Sequence, residues 1–184
     1  SLSENGLYTV EGFRVFFRHL TPTGVFTVSR WYSPTNIGEA GRMVSVAVAA
    51  LRNEGIGDPQ AHLYLAVTDN LATLIVSRAP FSTADLATLT ATVDSLRFTA
   101  IMHPGTPPAS SVMAAILEAR TPETLANLST IYQLHLTPAH DDRPFFFEQL
   151  RISDPSALLN AMRADEGVIR GNFKAVSTLA IIII

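Results

Sequence analysis

His140, Asp141, Asp142 and Arg143 stand side by side, and Phe145, Phe146 and Phe147 follow Pro144. Two carboxylates beside an apolar wall suit a cleft that holds an amine or a sulfonium, because the wall excludes water while a carboxylate meets the charge. Asp141 and Asp142 are therefore substrate-binding candidates, on a lid or wall over a ligand. The same residues also make an ordinary buried loop, with the carboxylates on backbone N–H groups and Arg143 and the phenylalanines in the core. A second candidate set is Ser29, Arg30 and Trp31, at the far end of the apolar run GVFTVSRW over residues 24–31. Trp31 and Tyr32 are placed to stack on a ring ligand or to fill core.

Other chemistries find little support. His135, His140 and Asp141 are the residue types of a metal site, but the two histidines are five positions apart across Pro138 and no motif completes the set. Ser29, His140 and Asp141 have the composition of a hydrolytic triad, yet no G-x-S-x-G elbow surrounds Ser29. Gly55-Ile56-Gly57 does not open a G-x-G-x-x-G loop, and no P-loop is present. The backbone approach that a nucleotide-type cofactor needs is thus missing, so no cofactor is expected in this chain and no catalytic residue is assigned.

The chain has 184 residues, a net charge of −3 and no cysteine. Its Lys and Arg residues are scattered, which argues against nucleic-acid binding, where clustered cations must neutralise phosphates. Without cysteine, disulfides and thiolate metal sites are excluded. Charged residues make up 16%, against about 25% in soluble domains. That deficit points to a surface that meets a membrane, a partner or the rest of a larger domain.

The elements that must position these residues follow from periodicity. Val10, Phe13, Phe17 and Leu20 form a helical stripe over 7–20, ended by Pro22 and Gly24. Gly12 interrupts that helix at a cost of about 1 kcal/mol against Ala, which close packing would justify. Residues 24–31 are expected to be a buried strand, in a parallel sheet whose ligands sit beyond the strands' carboxyl ends. A helix over 39–53 ends at Gly55. Residues 62–67 and 72–77 are strands too closely linked to be parallel, so they form a hairpin. Ser82 and Asp85 make a capping box for a third helix, and 98–103 is a further strand. After a Pro- and Ser-rich loop come helices over 110–119, from Thr121-Pro122, and over 154–164. The apolar end, FKAVSTLAIIII, is either a terminal strand or the start of a membrane span.

Helix, strand, helix and closing hairpin resemble the second half of a class I S-adenosylmethionine-dependent methyltransferase fold. The wording narrows the likeness. Residues 3–13, SENGLYTVEGF, then 20–25, LTPTGV, and DDRPFFF over 141–147 resemble the bacterial spermidine synthase-like proteins associated with membrane helices. The resemblance covers about residues 1–150. It implies an α/β fold, the second half of a Rossmann-like methyltransferase domain with a closing antiparallel hairpin and a helical C-terminal extension. Residues 24–31, 62–67 and 72–77 would be the fifth, sixth and seventh strands. The division would be 1–103 for the α/β half, 104–164 for the extension and 165–184 for the apolar tail.

The resemblance also implies a parent protein that transfers an aminopropyl or methyl group from S-adenosylmethionine or its decarboxylated form to a polyamine or other amine. The family's glycine-rich loop and acidic residues would lie upstream of Ser1, leaving this chain inactive alone. Glu4, Asn5, Tyr8, Ser29, Arg30 and Trp31 could then reach the site, with Tyr8, Trp31, Asp141 and Asp142 as substrate-binding residues. The parent would be membrane-embedded with this part on the cytoplasmic side, or else cytoplasmic. The alternative is a non-catalytic scaffold or membrane-docking module. In either case the strand at 24–31 would expose an edge and favour a homo-oligomer.

Overall fold

Thr9 starts the first helix. Its backbone is extended, and its side chain accepts a hydrogen bond from Gly12 N as an N-cap. Helix α1 is Val10–His19, preceded by a short 3-10 turn, Gly6–Tyr8, so the stripe predicted from residue 7 gives its first turn to a tighter winding. The computed structural model of the chain describes residues 6–34, 37–144 and 146, all within one compact unit, Ser1–Phe147. The expectations for Glu4, Asn5, the helix at 154–164 and the tail at 165–184 lie outside the described residues.

The order continues with β1 (Val25–Trp31), α2 (Gly38–Asn53), β2 (Leu63–Thr68), β3 (Leu71–Ser77), α3 (Thr83–Ser95), β4 (Thr99–Met102), α4 (Ser111–Glu118) and α5 (Pro122–Ile131). The chain is mixed α/β. The predicted hairpin is β2–β3, with Asp69 left-handed in its turn. The capping box of Ser82 and Asp85 is formed at α3, Thr121 caps α5 with Pro122 in its first turn, and Gly55 has a φ of +81 just past α2.

The expectation of a parallel sheet is overturned. The four strands lie in the order β1-β3-β2-β4, and every neighbouring pair is antiparallel. The physical reason is β3: it returns along β2 by the tight turn and takes the place between β2 and β1 that a parallel neighbour would need. β1 and β2 therefore run the same way, one strand apart, joined by α2. The expectation that β1 is buried is overturned too. Among the described residues β1 forms one edge of the sheet, with Val25 and Trp31 exposed and none of its residues fully buried.

Alternation along the strands feeds two cores. Leu63 and Leu65 of β2, Ala72, Leu74 and Val76 of β3, and Phe26 and Val28 of β1 face the main core with α1, α2, α4 and α5. Tyr64 and Ala66 face the other way, toward Val93 and Leu89 of α3. Helix α2 lies between the sheet and α4 and is buried nearly all round, as an apolar helix between layers must be. Met113 and Ile116 of α4 and Leu125 and Leu128 of α5 belong to that same main core. Glu54, just past α2, accepts from Arg14 Nε at 2.7 Å and Arg18 Nε at 2.9 Å, tying α1 to the end of α2.

Candidate functional site

The site lies at the carboxyl end of β1. Arg30 alternates with Phe26 and Val28, so its side chain leaves the sheet on the helical side. Its guanidinium carbon sits 3.6 Å from the centroid of the Tyr8 ring and 5.7 Å from that of Phe146, a stacked cation–π arrangement. Tyr8 is placed by the 3-10 turn before α1, and its ring lies 4.9 Å from Phe146 at 31°. Arg42 of α2 also brings its guanidinium carbon to 5.5 Å from the Phe146 ring. Arg42 is 3% exposed and donates from Nε to Thr137 O at 3.0 Å and from a terminal nitrogen to Phe146 O at 2.6 Å. Two guanidinium groups thus approach the aromatic pair.

Glu39, in the first turn of α2, feels the charge of Arg30. Burial raises its carboxyl above the usual carboxylate range, and the positive charge of Arg30 partly opposes this. A half-buried carboxylate of raised proton affinity, in the field of Arg30 and in the first turn of the helix that follows β1, can hold an ammonium group and take up a proton from it. Among the described residues no group of three His, Cys, Asp or Glu is arranged to hold a metal ion. No helix among them is long and apolar enough to cross a membrane.

The comparisons with protein-family models, curated proteins and solved structures found no match.

The structure separates the residues singled out from sequence. Tyr8 lies in the cluster. Trp31 is 56% exposed and, one residue along from Arg30, leaves the opposite face of the sheet. Ser29 shares that face, and its hydroxyl is hydrogen-bonded to Thr73 Oγ1 at 2.8 Å across β3. The hydroxyl of Thr9 donates to Asp141 Oδ1 at 2.6 Å. The Asp141 carboxylate thus sits at the positive end of α1, where a negative charge is stabilising. Asp142 is exposed in the neighbouring turn. His140 Nδ1 lies 2.9 Å from Glu11 Oε1, and Asp141 N donates to Glu11 Oε2 at 3.1 Å. The 140–143 turn is therefore docked on α1 through Thr9 and Glu11.

Glu39, Arg42 and Glu11 carried no mark in the sequence beyond being polar residues on helices. The available signal was position: Glu39 lies in the first turn of the helix that follows a strand's carboxyl end.

The docking of the turn has a pH signature. Burial raises the Glu11 carboxyl, but the hydrogen bond and charge of His140 and the backbone bonds outweigh it, so the net shift is downward. A carboxyl depressed by folding stabilises the protein above its unfolded value of about 4.3 and loses that contribution as pH falls through the lower folded value. Glu11→Gln is expected to lower Tm by about 2 °C at pH 6, with the gap to the wild type closing in acid below the ordinary carboxylate range. Thermal unfolding of both proteins across pH checks this, and a gap that stays constant into acid counts against it.

Proposed function

We propose that this chain is the acceptor-side part of a spermidine synthase-like transferase with a Rossmann-like, methyltransferase-type sheet, and that it holds the amine that receives an aminopropyl or methyl group. The observation that carries this reading is the cluster of Tyr8, Arg30 and Phe146 at the carboxyl end of β1, with Glu39 in the field of Arg30. Ligands of Rossmann-type sheets sit at that end. The strand order supports it as well. An antiparallel strand inserted between two that run the same way, β1-β3-β2, is the arrangement expected for the fifth, seventh and sixth strands of that fold.

In this reading Glu39 binds the acceptor ammonium and draws off its proton, which frees the nitrogen lone pair for attack. Tyr8 and Phe146 form the wall that orients the acceptor's carbon chain. Arg30 fixes the Tyr8 ring and keeps the Glu39 carboxyl from rising further. A sulfonium donor would supply the transferred group. The chain has no glycine-rich loop between a strand and a helix to receive the nucleotide half of that donor, so no donor site is assigned to it and no step is derived through the donor.

The test is a titration of the labelled chain with putrescine and with spermidine, followed by amide chemical shifts. Shifts confined to Tyr8, Arg30 and Glu39 are expected, with binding in the millimolar range. Glu39→Gln is expected to weaken that binding at least about fivefold, the loss of a charge-assisted contact. The variant should fold normally. A carboxyl raised by folding contributes stability that is present in acid and lost as pH rises through its folded value. Neutral Gln therefore relieves a cost at pH 7. S-adenosylmethionine, its decarboxylated form and methylthioadenosine are expected to give no response. Absence of any amine-dependent shift sinks the reading. Micromolar binding of a donor overturns the assignment of this chain to the acceptor side alone.

One observation favours the second reading, a scaffold without catalysis: the Asp141 carboxylate and the His140 ring are both spent on docking the turn to α1. That reading predicts no amine response at Glu39.

A further inference from the structure

The loop that brings Phe146 to the cluster is fastened at two points to one side chain. Arg42 donates from Nε to Thr137 O and from a terminal nitrogen to Phe146 O. Between those points, residues 139–141 lie on the start of α1, partner by partner. Val10 N donates to Ala139 O at 2.9 Å. The Glu11 carboxylate meets the His140 ring at 2.9 Å and accepts from Asp141 N at 3.1 Å. Thr9 reaches back to the Asp141 carboxylate. The first N–H groups of a helix have no partner inside it, and the loop satisfies the one on Val10. The loop is thus part of the cap of α1. Tyr8, the residue before Thr9, meets the Phe146 ring beside that cap.

Thr9 is fully buried, and its hydroxyl has a single proton to give. Among the described residues two acceptors lie within its reach, Asp141 Oδ1 at 2.6 Å and Gly6 O at 3.2 Å. They compete. The carboxylate is nearer and charged, and charge-assisted bonds are about twice as strong as neutral ones, so Asp141 takes the proton. The oxygen of the same hydroxyl accepts from Gly12 N at 3.0 Å, so α1 stays capped whichever acceptor wins. Gly6 begins the 3-10 turn that carries Tyr8. Without Asp141 the proton turns to Gly6 O. The loop then loses its side-chain hold on Thr9, and the turn under Tyr8 is drawn toward the helix.

We propose that Asp141 is a positioning residue for the Tyr8–Phe146 ring pair, acting through the hydroxyl of Thr9. By holding that proton it seats the loop on α1 and leaves the Gly6–Tyr8 turn in the form that sets Tyr8 between Arg30 and Phe146. This differs from contact with a substrate, the role its residue type suggests. The seating of the rings stands without the transferase reading, whereas the effect on amine binding rests on it.

The test compares Asp141→Ala with Asp141→Asn in the full chain. Both remove the charge, but Asn keeps an oxygen that can accept from Thr9. Asp141 is exposed, so both variants should fold. Thr9→Ser, which keeps the hydroxyl, makes the same comparison from the other partner. Two readouts follow the loop and the rings: nuclear Overhauser cross-peaks between the rings of Tyr8 and Phe146, and amide exchange of Val10, whose N–H is bonded to Ala139 O. In Asp141→Ala the cross-peaks should weaken and Val10 should exchange roughly tenfold faster. Asp141→Asn and Thr9→Ser should stay near the wild type. Putrescine binding should weaken about threefold in Asp141→Ala and recover in Asp141→Asn. Wild-type cross-peaks and Val10 exchange in Asp141→Ala overturn the proposal. An Asp141→Asn protein that binds putrescine as poorly as Asp141→Ala overturns it as well, because the charge itself then meets the amine. A wild type with no amine response removes the transferase reading, and the cross-peaks and Val10 exchange then decide the role of Asp141 by themselves.

Discussion

Arg42→Met is expected to lower stability by about 3 kcal/mol, a fall in Tm of about 10 °C for a chain of this size. Two effects compete. A buried guanidinium is costly to desolvate, and an apolar replacement of similar length recovers part of that cost. Against this, Arg42 supplies the donors for Thr137 O and Phe146 O. Methionine would remove the donor to each carbonyl, at about 1–3 kcal/mol each. The second effect wins because the side chain is only 3% exposed and water cannot take the place of the donors. Arg42→Lys should recover little, since one ammonium cannot present the spaced donors of a guanidinium. Urea unfolding measures the loss. Hydrogen exchange over 137–144 should show where it falls, because Arg42 anchors that segment to α2. An Arg42→Met protein as stable as the wild type would mean that the segment's other contacts, those of Thr9, Val10, Glu11 and Ser129, suffice to hold it.

Gly12→Ala is expected to destabilise by about 2 kcal/mol, although helix propensity alone predicts a gain of about 1 kcal/mol. A Cβ at position 12 would lie 2.8 Å from Gly6 O, 3.1 Å from Thr9 Oγ1 and 3.3 Å from Leu7 O. The nearest obstacle is backbone, so the 3-10 turn must move, and overpacking of this kind costs about 1–3 kcal/mol. The movement draws Thr9 away from its capping bond, worth about 1 kcal/mol, and Tyr8 away from Arg30 and Phe146. Amine-dependent shifts should weaken in the same variant. Gly57→Ala is the control: a Cβ there meets nothing within 4 Å, and its effect should stay within about 0.5 kcal/mol. A stabilised Gly12→Ala protein would show that propensity outweighs the close approach of turn and helix.

These two positions mark where sequence reasoning reached and where it stopped. Gly12 was legible as an irregularity in a helical stripe that close packing would explain, yet the identity of the packed partner was not. Arg42 looked like any polar residue in a helix. Its role depends on carbonyls at 137 and 146, brought to it by folding, and no local pattern encodes such a contact. Glu39 was silent for the same reason: its carboxyl is raised by burial and held by a charge on another element. Asp141 was legible as chemically capable, but its nearest partner, the hydroxyl of Thr9, comes from the opposite end of the described chain.

Local chemistry alone determined the elements themselves. The Ser82–Asp85 box, the Thr121-Pro122 start, the Gly55 stop and the short link between β2 and β3 each act within a few residues, so the sequence contains both partners. Tertiary structure decided the arrangement. GVFTVSRW is apolar enough for a buried strand, but burial is a property of neighbours. β3 folded back between β2 and β1, made the pairing antiparallel and left β1 at the edge with Trp31 in solvent. The sequence specifies how each segment curls and pleats. Only the assembled sheet, whose pairings join residues far apart in the chain, decides which face of each segment meets the core or the site.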